Sequence, residues 1–142
     1  MLGRRFVDRG RTFVSYADLQ EYYMLDNLEL AESDPGYAFN AECTLVVRKF
    51  LEGHPERLEQ LRRLVSEGRF EVTGGGELII DSNMVLGESL VRNFLLGLLW
   101  VEDELGQPTR VAVRNDAFGD SAQVPQILRG CGQVWALGSC YH

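Results

Sequence analysis

Short apolar runs alternate with helical stretches along this chain, and that alternation constrains the fold more than any other feature. The clearest instance is Arg110 to Leu128, RVAVRNDAFGDSAQVPQIL. Val111 and Val113 flank the small Ala112 and lead to the polar Arg114, a strand signal. Asn115-Asp116 ends the run, and Asp120-Ser121 can cap a helix. A helix is predicted from about Ala122, with Val124, Ile127 and Leu128 on one face. Asp116 therefore falls where a strand stops and a loop begins. In β/α folds that edge holds reactive side chains, because the strand aims them and the loop admits substrate. An equally weighted reading is that Asp116 only satisfies amides in the turn.

The rest of the chain repeats the pattern. Residues 1–14 carry arginines without periodicity and read as a basic, frayed N-terminal segment. Leu19, Tyr22, Tyr23, Leu25 and Leu28 predict a helix over 15–33, with Ser15 and Asp18 spaced as a capping box. Asp34-Pro35-Gly36 stops it. A short strand then ends on Glu42, and a helix follows over Thr44 to Glu52. Pro55 suits the start of a third helix that closes at Gly68. Arg69 to Thr73 alternates like a strand. Gly74-Gly75-Gly76 lacks a following Lys-Ser/Thr, so it is read as a close approach of backbones and not as a phosphate loop. An apolar run next leads to Asp81. A long apolar helix is predicted over 89–105, packed by several neighbours, with Arg92 paired to Glu88 or to an acid at a sheet end. A last strand covers Val134 to Leu137. Strands alternating with helices imply parallel pairing and right-handed crossovers. Four strands cannot close a barrel, so the chain is a small open sheet or an arc of a larger β/α barrel. Glu42, Asp81 and Asp116 all fall at predicted C-terminal strand ends, and three acids on one rim suggest a metal or carbohydrate site.

Charge and composition narrow the classes. The formal net charge of −7 disfavours nucleic acid as a partner. The longest apolar run, Phe94 to Val101, is too short to span a membrane, and no secretory signal opens the chain. Cys43, Cys131 and Cys140 form no CxxC and leave one unpaired, as reduced packing residues of a cytoplasmic protein would. His54 lies beside Pro55 with no second ligand at metal-site spacing, so it is read as a solvated loop histidine.

The segment NDAFGDSAQVPQILRGCG resembles the nucleophile segment of the family 38 glycoside hydrolases, the retaining α-mannosidases. The matching positions are Asp116, Phe118, Gly119, Ser121, Pro125, Gln126, Ile127, Leu128 and Gly132, while Asp120 stands where the family usually has His. GRFEVTGGGELIIDSNMVLGESLVRNFLLG resembles a second block of that family through Gly75, Gly76, Asp81, Asn83, Gly87, Glu88, Ser89, Arg92 and Gly97. There Glu77 replaces a usual aromatic. The likeness runs over roughly residues 15–138.

This resemblance implies an α/β fold of parallel β/α units, an incomplete arc of a seven-stranded β/α barrel of the glycoside hydrolase/deacetylase type. Residues 15–142 would be a partial catalytic domain. It implies that Asp116 is the nucleophile and also a zinc ligand, and it places Glu42, Asp81 and Phe118 at the substrate. Zinc is the implied cofactor. The family's His-x-Asp motif is not found, since Ser15-Tyr16-Ala17-Asp18 carries Tyr in place of His. The other zinc ligands and the acid/base carboxylate are expected outside this chain. The implied activity is hydrolysis of terminal α-mannose, with the isolated chain inactive. Two alternatives stay open: a non-catalytic remnant with weak carbohydrate binding, and a metal-dependent carbohydrate deacetylase, which expects histidine ligands where this chain has only His54 and His142. The expected partners are an α-mannoside and, through unpaired sheet edges, other copies of the chain.

Overall fold

The structure, a computed structural model, describes residues 6–74, 76–115 and 119–138. They divide into two compact units, Met1–Ala38 and Phe39–His142.

The first unit holds a β-hairpin and a helix. Strands β1 (Phe6–Asp8) and β2 (Arg11–Phe13) pair antiparallel, with Asp8 opposite Arg11. Arg9 and Gly10 make the connection with φ of 45° and 78°, the positive values that a two-residue turn needs to follow strand twist. This corrects the expectation of an unpatterned start: each strand has only 3 residues, too few for alternation to register. Helix α1 (Tyr16–Ser33) begins at the predicted cap. Ser15 Oγ accepts from the Asp18 N–H at 3.1 Å, and Asp18 Oδ2 accepts from the Ser15 N–H at 2.9 Å. Arg9 reaches Asp26 at 2.7 Å, and Phe13 lies 5.1 Å from the Tyr22 ring. Met24, Leu28 and Ala31 are buried, whereas Tyr16, Tyr23 and Leu30 are exposed.

The second unit is mixed α/β with small parallel sheets. Strand β3 (Phe39–Ala41) pairs parallel with β4 (Phe70–Val72), and β5 (Val111–Arg114) pairs parallel with β6 (Trp135–Gly138). Between β3 and β4 lie α2 (Thr44–Gly53), a 3-10 turn at Pro55–Arg57 and α3 (Leu58–Ser66). Helix α4 (Gly87–Leu105) connects β4 to β5, and α5 (Val124–Gly130) connects β5 to β6. Each parallel pair is thus joined through helix, as the alternation demands.

The two pairs are linked by few bonds. The Val113 N–H donates to the Thr73 carbonyl at 2.7 Å. Beside it, the buried Gln107 amide accepts from the Val72 N–H at 3.0 Å and donates to the Val72 carbonyl at 3.3 Å. A side chain here replaces the ladder bonds that a neighbouring strand would make.

Helix α4 is the centre of this unit, in contact with α2, α3 and α5. Leu90 and Phe94 join Ala112 of β5 and Val124 and Leu128 of α5 in one apolar cluster. The expectation that α4 is packed by several neighbours holds, although Leu95, Leu96 and Leu99 are exposed. Among the described residues, no helix is long and apolar enough to cross a membrane.

The glycine-rich segment behaves as a close approach of backbones. A Cβ on Gly97 would lie 2.4 Å from the Glu77 nitrogen, so α4 rests directly on this segment. The carbonyls of Gly76 and Glu77 accept from the N–H groups of Thr44 and Leu45 at 3.1 and 3.0 Å. They cap α2, whose N-cap Cys43 makes no side-chain bond to the helix. The Glu77 N–H goes to the Asn93 carbonyl, and the Asn93 side chain binds both polar groups of the Leu78 backbone.

That bonding corrects one sequence reading. Asp81 does not end a strand: residues 77–81 form none. The backbone groups of Glu77 and Leu78 are committed to α2 and Asn93, and the Ile80 carbonyl to Arg114, which competes with a ladder there. Asp81 instead opens a turn, with Oδ1 accepting from the Asn83 N–H at 3.0 Å.

Candidate functional site at the C-terminal strand ends

The C-terminal ends of β3, β4, β5 and β6 meet at one open cavity of about 330 Å³. Asn40, Glu42, Thr73, Val113, Asn115, Leu137 and Gly138 line it. Glu42 stands one residue past β3 and Asn115 one residue past β5, so parallel strands deliver both side chains to the same rim. Glu42 is half-buried, and its Oε1 accepts from the Asn115 N–H at 3.0 Å. Gly74 makes room for this arrangement. A Cβ there would sit 1.0 Å from the Glu42 carbonyl oxygen, so no side chain fits.

Asp116 and Phe118 lie outside the described residues, but the chain on both sides of them is fixed. Arg114 is 4% exposed and bonds Asp120 Oδ1 through Nε at 2.7 Å and Nη2 at 2.6 Å. Its Nη2 also donates to the Ile80 carbonyl at 3.0 Å. Ser82 donates to Asp120 Oδ1 at 3.1 Å and accepts from the Ser121 N–H at 2.8 Å. Ile80 and Ser82 flank Asp81, and Arg114 and Asp120 flank residues 115–119. The structure therefore brings the segments carrying Glu42, Asp81 and Asp116 together, although Asp81 itself is not among the residues lining the cavity. Asp120 does not stand as an uncompensated acid in this region, because Arg114 answers its charge. Glu77, the other departure from the family pattern, pairs with Arg48 of α2.

Sequence reasoning missed Asn40, Thr73, Asn115 and Arg114. The first three carry no motif, and their only signal is position within one residue of a strand end. Arg114 was read as the polar member of a strand alternation, whereas it is buried and paired. Elsewhere, His54 stacks 4.9 Å from Phe50 and lies 3.4 Å from Glu56. Cys43 and Cys131 are free thiols, and burial pushes both above the ordinary thiol range. Among the described residues, no three His, Cys, Asp or Glu side chains converge as a metal site.

Comparison with known proteins identifies the family and the fold. Residues 11–139 match the glycosyl hydrolases family 38 N-terminal domain. Alpha-mannosidase G of Dictyostelium discoideum is 40% identical over 98 residues, which is 69% of this chain and 9% of that protein. Alpha-mannosidase 2C1 of Homo sapiens is 31% identical over 105 residues, 74% of this chain and 10% of its own length. An alpha-mannosidase structure from Enterococcus faecalis superposes with a TM-score of 0.75 at 28% identity, over 84% of this chain and 14% of that one. The 4-alpha-glucanotransferase structure of Thermococcus litoralis, at 16% identity and a TM-score of 0.71, shares the fold. The chain thus spans about a tenth of the length of these curated relatives. With the match running over residues 11–139, the chain belongs to glycoside hydrolase family 38, within its N-terminal domain.

Proposed function

We propose that this chain is part of a retaining α-mannosidase that removes terminal α-linked mannose, with Asp116 as the nucleophile. One observation carries the reading. Glu42, the neighbours of Asp81 and both flanks of residues 115–119 are bonded to one another at the C-terminal strand ends. Retaining glycosidases need two carboxyl groups about 5–5.5 Å apart, one attacking the anomeric carbon and one serving as acid and then base. In this reading Asp116 attacks and Glu42, Asp81 and Phe118 hold the sugar. The acid/base residue comes from sequence outside this chain, and the two parallel strand pairs are an arc of a seven-stranded barrel. The names of the relatives support the substrate class.

Zinc belongs to this proposal only through the family. Asp116 would be its ligand, but catalytic zinc sites usually take three protein ligands. No such set converges among the described residues, so they do not by themselves fit the ion and no step is drawn through it. A cytoplasmic location is part of the same reading, supported by the free thiols Cys43 and Cys131. No observation favours the deacetylase alternative.

The test is to assay an aryl α-mannoside with the isolated chain and with the chain grafted into the corresponding segment of the Enterococcus faecalis alpha-mannosidase. The isolated chain is expected to be inactive with or without zinc, and the graft active. Asp116→Ala should abolish turnover by the graft. Glu88→Ala should leave it near wild type, because the Glu88–Arg92 pair is exposed and such pairs contribute little. Retained turnover in the Asp116→Ala graft would overturn the assignment.

A further inference from the structure

We infer that Arg114 and Asp120 are positioning residues, a charge clamp anchored by a buried arginine that ties together the two ends of the segment carrying Asp116. The inference rests on the proposed role of Asp116. Arg114 ends β5, and its guanidinium grips Asp120 with two nitrogens at 2.6 and 2.7 Å. The arginine side of the grip is buried, while the Asp120 side chain is 36% exposed. The Arg114 side chain is 4% exposed, its Nη2 also binds the Ile80 carbonyl, and its guanidinium carbon lies 5.7 Å from the centre of the Phe94 ring. Asp120 Oδ1 takes a further bond from Ser82, whose hydroxyl in turn accepts from the Ser121 N–H. Both nitrogens converge on the single oxygen Oδ1, which charge-assisted hydrogen bonds hold at one point.

The pair does what neither residue could do alone. A loop joining a strand to a helix has freedom in proportion to the slack between its ends. Here the ends are tied across residues 115–119, and the tie is anchored in the packed core beside Phe94. Asn115 is held separately by Glu42. A nucleophile must be kept near its attack geometry for catalysis to gain from proximity, and a carboxylate held by two bonds from a buried arginine restricts where the ends of the segment can go. This also gives a reason for an acid at position 120: it supplies the partner that the buried Arg114 requires.

The experiment uses the 142-residue chain and the graft described above, each as wild type, Asp120→Asn and Asp120→Glu. Amide hydrogen exchange is read by mass spectrometry. Asp120→Asn should raise exchange around Asn115, Gly119 and Ser121 by roughly tenfold while leaving α1 and α4 unchanged. Asp120→Glu, which keeps the carboxylate, should restore most of the protection. In the graft, Asp120→Asn should lower kcat by roughly tenfold or more with little change in KM, again with recovery in Asp120→Glu. Uniform loss of protection through the whole chain, or unchanged local exchange, would overturn the clamp. So would an active graft whose kcat ignores Asp120→Asn. An inert wild-type graft would instead sink the proposed hydrolase function, and the exchange result would still decide whether the pair is a clamp. Arg114→Lys, which keeps charge but loses the fork, should fall between wild type and Asp120→Asn in exchange.

Discussion

The Asn115 N–H donates to Glu42 Oε1 at 3.0 Å, joining residues 73 positions apart at the ends of two strands that belong to different parallel pairs. Asn115 is exposed, so water can replace this bond. Glu42→Ala should therefore lower stability by less than about 1 kcal/mol. In the active graft the same change should raise KM for an aryl α-mannoside, because Glu42 lines the cavity. Denaturant titration beside steady-state kinetics separates the two effects. A large stability loss with unchanged KM would make Glu42 structural only.

Gly97 sets up a conflict between helix propensity and packing. In an exposed helix interior, Gly→Ala gains roughly 0.5–1 kcal/mol. Here the new methyl would meet Gly76 and Glu77 backbone atoms at 2.4 Å, and backbone cannot swing aside. Gly97→Ala should destabilise by about 1–3 kcal/mol, read as a drop in the denaturant midpoint. A neutral or stabilising result would show that α4 can lift off the glycine-rich segment.

Strand β6 pairs with β5, and Trp135 and Leu137 are 70% and 63% exposed. A flat apolar strand at a sheet edge templates association. The isolated chain should self-associate in light scattering at micromolar concentration, and Trp135→Lys with Leu137→Lys should reduce the apparent mass. A monodisperse wild-type monomer would contradict this expectation.

Burial raises the Cys43 and Cys131 thiols above their ordinary value of 9.0. The folded state therefore holds these protons more tightly than the unfolded chain. Their contribution to stability is full below pH 9.0 and is lost as pH rises through the folded values. In a Cys140→Ser variant, alkylation below that pH should be slow when folded and fast in denaturant, and stability should fall above it. Equal alkylation rates in both states would refute the shift.

Helices were the most legible part of this chain. Ser15 and Asp18 announced α1, and the apolar spacing of α4 and α5 announced the packing around Ala112. Strand direction followed from the alternation, and the rim position of Glu42 followed from a strand end. What failed were features set by distant partners. The hairpin at β1 and β2 has strands too short for a period to show. The run before Asp81 looks like a strand locally, but Asn93 and the start of α2 claim its backbone. Arg114 reads locally as the polar end of a strand alternation, but Asp120 and the Ile80 carbonyl meet it. No local pattern encodes a contact whose second member lies 34 positions away.

The capping of α2 has a consequence for the order in which the protein assembles. The Thr44 and Leu45 amides donate to the carbonyls of Gly76 and Glu77, and those residues are held in turn by Asn93 and pressed against Gly97. During synthesis, α2 leaves the ribosome with its leading amides facing water, and it stays frayed until about fifty further residues have followed. Its completion, the seating of the glycine-rich segment and the docking of α4 are therefore one event in time. Ribosome-bound chains halted before residue 76 should lack a stable α2, while α1, whose cap is local, can form as soon as it emerges.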